Sequence, residues 1–441
     1  MNTNPPFRKS SKLSRRTFLK RSALVAAPMI VPGSVFGLDG TVAPSNRITI
    51  GCIGVGGQGG SNMGAFLGLP NAQVVAVCDV DCHRRDNAKA GVDGRYGDQG
   101  CMSYNDFREI IAREDIDAVS IGTPDHWHAV ITTAAARAGK DIYCEKPLSL
   151  TIGEGRSIVD VVRKYGRVLQ TGTWRRSRNG CRRACELVRN GRIGELKTIK
   201  IGVPLGFAIR GGDQAALEKP SEVPVGFDYD MWLGPAPWAP YAEGRCHFNF
   251  RWIMDYGEGY ISDWGAHYYD IGQWANGTDH TGPVSVEGTA EFPRTGLYDG
   301  PINHHLTFTY ANGVKMISVA TSDQSQWGMR YEGTEGWLHV ESETITGEPQ
   351  SAIDSRFSVN DLRLYASDNH HANFLECIQT RKETAATAEI GHRSATICHI
   401  GSICALLGRP LKWDPVAERF DDESANRLLT RPMRSPWSLA C

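Results

Sequence analysis

The chain has 441 residues, of which 41% are hydrophobic and 22% charged, with a formal net charge of −1. That length exceeds what one hydrophobic core usually organises, so two packed domains are expected. The near-zero charge, with no block of like charge beyond the first twenty residues, excludes a long-range field that would gather nucleic acid or an anionic membrane.

The first element is a targeting segment. Ser14-Arg15-Arg16-Thr17-Phe18-Leu19-Lys20 precedes an apolar run, Ser22 to Pro32, that is too short to span a bilayer. It resembles a twin-arginine signal peptide, which implies the twin-arginine export machinery as a partner and a periplasmic or cell-envelope location. The small-residue stretch Thr41-Val42-Ala43 is a loose cleavage site, and residues 1–43 are set aside as signal and linker.

Residues 44–172 read as one domain. Arg47 to Ile53, Ala72 to Cys78, Ala118 to Ile121, Asp141 to Cys144 and Arg167 to Gln170 are short apolar strands, separated by helix-length stretches. Asp125 is placed to cap a helix that stops at Gly139, and Thr151 to start one that stops at Gly166. Strands and helices alternating in this way predict an α/β fold with a doubly wound parallel sheet.

Residues 173–441 change rhythm. A helix near Cys181 to Asn190 is followed by longer alternating segments at Val284 to Phe292, His305 to Val319 and Tyr331 to Val340. Asn312-Gly313 gives a hairpin signal. An α+β domain with an open, mostly antiparallel sheet is expected, with helices near Asn373 to Gln379 and His392 to Leu407 free to pack on either domain. The twelve cysteines are scattered, with no C-x-x-C pair, and predict neither a structural metal nor a required disulfide.

Gly54-Val55-Gly56-Gly57-Gln58-Gly59 follows the first strand directly and has the G-x-G-x-x-G form. Glycines there let the backbone turn tightly and approach a pyrophosphate whose charge meets the amides of a helix N-terminus. Asp79 ends the second strand, where a carboxylate can accept hydrogen bonds from ribose hydroxyls and would repel a 2′-phosphate. NAD is therefore favoured over NADP.

Glu145-Lys146-Pro147 at the end of the fourth of these strands, preceded by Gly122-Thr123-Pro124 and His128, resembles the signature of the Gfo/Idh/MocA oxidoreductase family. The similarity extends through Gly191 to Leu196, Trp232 to Pro235 and Gly257 to His267. It implies a Rossmann domain joined to an α/β domain whose open sheet often mediates oligomers, so a homo-oligomer is expected. It also implies redox chemistry on sugars or inositols, or in one branch NAD-dependent glycoside cleavage. Glu145 and Lys146, with Thr123, Pro124 and His128, join the glycine turn (Gly54, Val55, Gly56, Gln58, Gly59) and Asp79 as the expected cofactor contacts.

Removing a hydride from a secondary alcohol requires simultaneous loss of the hydroxyl proton, so a base and a stabiliser of negative charge must converge near the nicotinamide. His267 is assigned as the base and Lys146 as the donor to alkoxide character. Asp263, four positions before His267, is its orienting partner or a direct substrate contact. Gln170, Trp174, Arg176 and Arg251 are weaker candidates for substrate contact, and His370-His371-Ala372-Asn373 reads as capping or pocket lining before metal. The expected function is an NAD-dependent sugar or polyol oxidoreductase holding its cofactor tightly, because free NAD is scarce outside the cytoplasm. The alternatives are glycoside cleavage by oxidation and elimination, whose family branch typically replaces the lysine kept here as Lys146, and a sugar-binding protein without turnover.

Overall fold

The computed structural model describes residues 42–439; the segment resembling a signal peptide lies outside them. Six parallel strands form the first sheet: β1 (Ile48–Ile53), β2 (Ala72–Cys78), β3 (Met102–Tyr104), β4 (Ala118–Ile121), β5 (Asp141–Cys144) and β6 (Leu169–Thr171), in the order β3-β2-β1-β4-β5-β6. β4 and β5 are buried along their whole length, as strands covered by helices on both faces must be. The order reverses between β1 and β4, the point at which open α/β sheets leave a crevice beyond the strand ends.

Local chemistry sets the helix starts around this crevice. Asp81 caps the helix Cys82–Tyr96 by accepting from His83 N at 3.0 Å, and Thr151 caps Ile152–Lys164 by accepting from Glu154 N at 3.3 Å. Asp125 does not cap. Pro124 occupies that position and Asp125 is the first residue of the helix Asp125–Arg137, its side chain buried. The helix Gly57–Leu67 begins at Gly56 with no side-chain cap, which leaves its first amides free for another acceptor.

The second sheet has nine strands: β7 (Leu196–Pro204), β8 (Ser285–Glu291), β9 (Asn303–Thr309), β10 (Lys315–Thr321), β11 (Gly328–Gly333), β12 (Trp337–Val340), β13 (Ile345–Glu348), β14 (Leu411–Asp414) and β15 (Arg419–Phe420). Only the β7–β10 pair is parallel, so the sheet is mostly antiparallel as expected. β9 and β10 form the hairpin around Asn312-Gly313, with Gly313 at φ +82. The stretch Tyr331 to Val340, expected as one segment, is instead the end of β11, a turn and the whole of β12, which pair as a second hairpin.

Ile271 of the helix Gly265–Asn276 and Ile397 of the helix Ala388–Leu407 share one core with Leu306 and Phe308 of β9. The helix His370–Thr380 packs the other way, its Phe374 joining Phe66 and Tyr143 in the core of the first sheet. Thr171 N donates to Ala386 O at 2.8 Å, which covers the edge of β6. Residues 48–439 thus fold as one unit, with the strand ends of the first sheet facing a segment, residues 247–267, of the second half.

Candidate functional site

A cavity of about 710 Å³ opens beyond the ends of β1, β2, β4 and β5. Its floor is the glycine turn. Gly54 takes φ +75, and a Cβ there would stand 2.7 Å from Thr123 N. A Cβ at Gly59 would run into Gly54 O, so Gly59 serves close packing of turn and helix and does not line the cavity. The uncapped start of the helix Gly57–Leu67, glycine at the positions where a Cβ would intrude, and open volume above them fit the pyrophosphate of a dinucleotide.

Of the residues expected to hold the cofactor, Gly54, Gly56, Gln58, Asp79, Thr123, Pro124, Glu145 and Lys146 line the cavity. Val55 and His128 are corrections. The Val55 amide donates to Asp79 Oδ2 at 2.9 Å, so it is already satisfied. His128 is buried behind the wall with Nδ1 2.7 Å from Pro147 O and Nε2 3.0 Å from Thr123 O. It holds the two loops in register and is spent doing so. Burial pushes its pKa down to about 4 against the pull of those carbonyls.

Asp79 Oδ1 accepts from Asp81 N at 3.0 Å, so both carboxylate oxygens already hold the turn. Each oxygen keeps a second lone pair, and the side chain faces the cavity. Glu145 accepts from Asn62 Nδ2 at 2.9 Å and from Lys146 N at 3.2 Å, tying the glycine-turn helix to the end of β5. Its burial raises the carboxyl pKa despite the nearby Lys146 ammonium.

Lys146 Nζ donates to Asp263 Oδ1 at 2.7 Å and to Asp263 O at 2.8 Å. An ammonium has three donors, so one remains for the cavity. Asp263 ends the short helix Gly259–Asp263, and its carboxylate also accepts from Arg251 Nε at 3.2 Å. Burial alone would raise its pKa, but Lys146 and Arg251 hold it well below the usual carboxylate range. Asp263 is therefore the partner of Lys146 and Arg251. Its carboxylate hydrogen bonds go to those two cations and not to His267, on which it acts through charge alone.

His267 lines the same cavity, its ring edge-on to Trp174 at 5.5 Å between centroids. Its Nδ1 is buried without a protein partner. Burial, reinforced by the Lys146 and Arg175 cations, holds its pKa well below 6.5, so the imidazole is neutral and keeps a lone pair for a hydrogen bond.

Trp174 and Arg251 line the cavity, whereas two other expected substrate contacts do not. Arg176 is buried and bonded to Asp270 Oδ2 at 2.7 Å and Asp279 Oδ1 at 2.5 Å. Gln170 is buried, its Nε2 donating to His370 O at 3.1 Å and its Oε1 accepting from Ala386 N at 3.1 Å. Gln170 fastens the first sheet to the second half of the chain, and Arg176 ties elements within that second half. His370 joins that network, and among the described residues no cluster of three or more His, Cys, Asp or Glu is placed to hold a metal ion. The cysteines of the described residues are all unpaired.

The cavity also takes residues that the sequence did not flag. Asp125 lines it with its carboxyl pushed well above the usual range by burial, against the pull of Lys146 and Arg251. Arg84 lies over Gly56, where even a Cβ would collide with its guanidinium. Arg210 comes from the loop after β7, which carries no local signal, whereas Phe248 stands on the 3-10 helix His247–Trp252, in an aromatic stretch that the sequence already offers as a sugar platform.

A crevice at the switch point of a parallel sheet, floored by a glycine turn and walled by a lysine–aspartate pair and a histidine, defines the class as NAD-binding oxidoreductases. Residues 48–173 match the domain described as the oxidoreductase family's NAD-binding Rossmann fold, and residues 179–439 its C-terminal alpha/beta domain. The chain belongs to the Gfo/Idh/MocA oxidoreductase family.

An uncharacterized oxidoreductase of Bacillus subtilis (strain 168), YrbE, is 25% identical over 385 residues, covering 83% of this chain and 97% of that protein. A glycosyl hydrolase family 109 protein of Saccharopolyspora erythraea is 30% identical over 177 residues, 36% of this chain and 39% of its own length. Inositol 2-dehydrogenase of Salmonella typhimurium is 31% identical over 147 residues, 33% and 42% of the two chains. The last two alignments span less than half of either protein. Levoglucosan dehydrogenase, solved with NADH and levoglucosan, shares the fold with a TM-score of 0.60 and 19% identity, over 83% of this chain and 99% of that one.

Proposed function

We propose that the protein interconverts a secondary hydroxyl and a ketone on a sugar or polyol, with NAD(H) as a tightly held partner. The observation that carries this reading is the Lys146 ammonium, fixed by Asp263 with one donor left over, in the same cavity as a neutral His267 and the glycine turn. When bound, the nicotinamide would supply the acceptor or donor of the hydride. Lys146 donates its free N–H to the reacting oxygen and stabilises charge there as the O–H bond breaks. His267 receives that proton and returns it in the reverse direction. Asp263 holds the Lys146 side chain in place, and Arg251 holds Asp263 in turn. Trp174 brings an aromatic ring of the kind that suits a sugar to the same cavity. The Asp79 carboxylate favours NAD(H), since it would repel a 2′-phosphate.

The relatives support the substrate class in outline, inositol in one and levoglucosan in a structural neighbour. The Arg15-Arg16 segment supports export in folded form, which in turn calls for a cofactor retained through the cycle. Mass spectrometry of cofactor released from the full chain, purified without additives, is expected to give NAD or NADH; a sugar and polyol panel should then change the reduced-nicotinamide absorbance. Release of no dinucleotide, together with no absorbance change on adding NAD and the panel, would remove the reading.

A second reading, glycoside cleavage through oxidation, elimination and return of the hydride, draws on the family 109 relative. Retention of Lys146 favours ordinary redox chemistry. Released aglycone with no net reduction of cofactor would decide for cleavage, whereas sugar binding with neither outcome would mean a non-catalytic role.

A further inference from the structure

The substrate end of the cavity is lined by three cations, Lys146, Arg210 and Arg251, of which Asp263 pairs two. Arg210 sits on the loop after β7, and buried Asn249 pins its backbone in both directions: Asn249 Oδ1 accepts from Arg210 N at 2.9 Å, and Asn249 Nδ2 donates to Arg210 O at 2.7 Å. A loop residue held this firmly places its side chain by design of the backbone. The guanidinium lies 3.7 Å from the centroid of the Phe248 ring, and that of Arg251 lies 4.4 Å from the same centroid. Both arginines line the cavity.

Their surroundings differ. Arg251 bonds to Asp263, which is also the partner of Lys146. Arg210 has no carboxylate within ion-pair distance among the described residues, although it lies against a ring shared with Arg251. Asp263 therefore pairs two of the three cations and leaves Arg210 without a carboxylate. Glu145 is committed to Asn62 and the Lys146 amide, and Asp125 is buried at the start of its helix; neither bonds to Arg210. Arg84 stands apart from this group, over Gly56 at the glycine turn, and answers the charge expected of a pyrophosphate.

We infer that the sugar or polyol this site accepts carries an anionic group, a carboxylate or a phosphate ester, which docks on Arg210 beside Phe248 while the reacting hydroxyl lies between Lys146 and His267. The inference rests on the oxidoreductase reading of the site and names the substrate within it. A guanidinium presents paired donors matched to carboxylate or phosphate oxygens, and Phe248 beneath it removes water from one face. Arg210 is exposed, so water occupies its donors until a ligand arrives, and an anion, unlike a neutral ring, offers the guanidinium a charge to pair with.

The test compares neutral hexoses and inositols with hexuronates, aldonates and hexose 6-phosphates on the NAD-loaded full chain, following both calorimetric binding and reduced-nicotinamide absorbance. An anionic class is expected to exceed its neutral parent in kcat/KM by about 10- to 100-fold, the range of a charge-assisted hydrogen bond. Arg210→Gln should lower the ratio of anionic to neutral kcat/KM by a similar factor, through KM, and Arg210→Lys should recover part of it. The advantage should also shrink as salt rises. Which acid wins separates sugar acids from sugar phosphates.

Equal or better use of neutral sugars, or a ratio untouched by Arg210→Gln, overturns the inference and leaves the oxidoreductase reading standing. So does an Arg210→Gln variant that loses NAD affinity alone, which would assign the arginine to the cofactor. Selective binding of anions through Arg210 with no hydride transfer from any compound would uphold the docking site and remove the redox reading instead.

Discussion

Two aspartates seven residues apart, Asp263 and Asp270, each sit in an ion pair, and the contrast between them shows where function resides. Asp270 is fully enclosed: Arg176 Nε and Ser394 Oγ donate to its two oxygens, and Asp279 takes the remaining side of the guanidinium. Every group there is answered by protein. Asp263 also meets two cations, yet its partner Lys146 keeps one donor pointed at open volume, and the His267 Nδ1 nearby has no protein partner. Both clusters hold charge away from bulk water; only the second has unused capacity facing a cavity. Burial and pairing by themselves identify a fastening, and unspent donors beside an opening identify a site.

The largest effect that would break this contrast is on turnover. Lys146→Ala and His267→Ala should each reduce kcat by about 10²- to 10⁴-fold on whichever substrate the panel reveals, with the folded state intact by circular dichroism. Wild-type rates in both variants would put the chemistry elsewhere. Arg176→Ala should act oppositely, costing about 3–5 kcal/mol of stability in denaturant titration by leaving a buried carboxylate unpaired, with KM little changed in the protein that remains folded. Gln170→Ala should cost about 1–3 kcal/mol, since Ala386 N and the His370 carbonyl lose their partner, again without a change in KM. A rise in KM with no loss of stability in either variant would return those residues to the substrate site.

A further effect is on pH. His126, His128, His304 and His370 are buried and held neutral, with pKa values pushed by burial to about 3, 4, 4 and 3, below 6.5. The unfolded chain therefore binds protons that the folded chain refuses. Their contribution is complete above about pH 6.5 and is lost as pH falls toward 4, at up to about 1.4 kcal/mol per histidine per pH unit. Urea unfolding between pH 7 and 4 should show stability falling with acidity; a flat or rising profile would contradict the burial of these rings.

Much of the first sheet was legible because β1, β2, β4 and β5 are compact apolar runs ending in turn residues. β3 was not, being three residues long with Met102 half exposed at the sheet edge. β7 escaped because Lys197 and Lys200 interrupt its apolar pattern on the solvent side. The glycine turn and the Glu145-Lys146-Pro147 corner could be read because backbone geometry demands those residue types locally. His128 and Arg176 were over-read, since spacing places a polar residue near a strand end without telling whether its hydrogen bonds are already made. Arg210 was invisible for the converse reason: its position depends on Asn249, 39 residues away, and no short-range pattern encodes that clasp.

The central claim is a matter of where a dinucleotide lies. A crystal structure of the full chain grown with NAD is expected to show the pyrophosphate on the Gly54–Gly59 turn and the nicotinamide ring within contact of both Lys146 and His267. A dinucleotide bound outside this crevice, or lying in it with its ring turned away from those two side chains, would contradict the account.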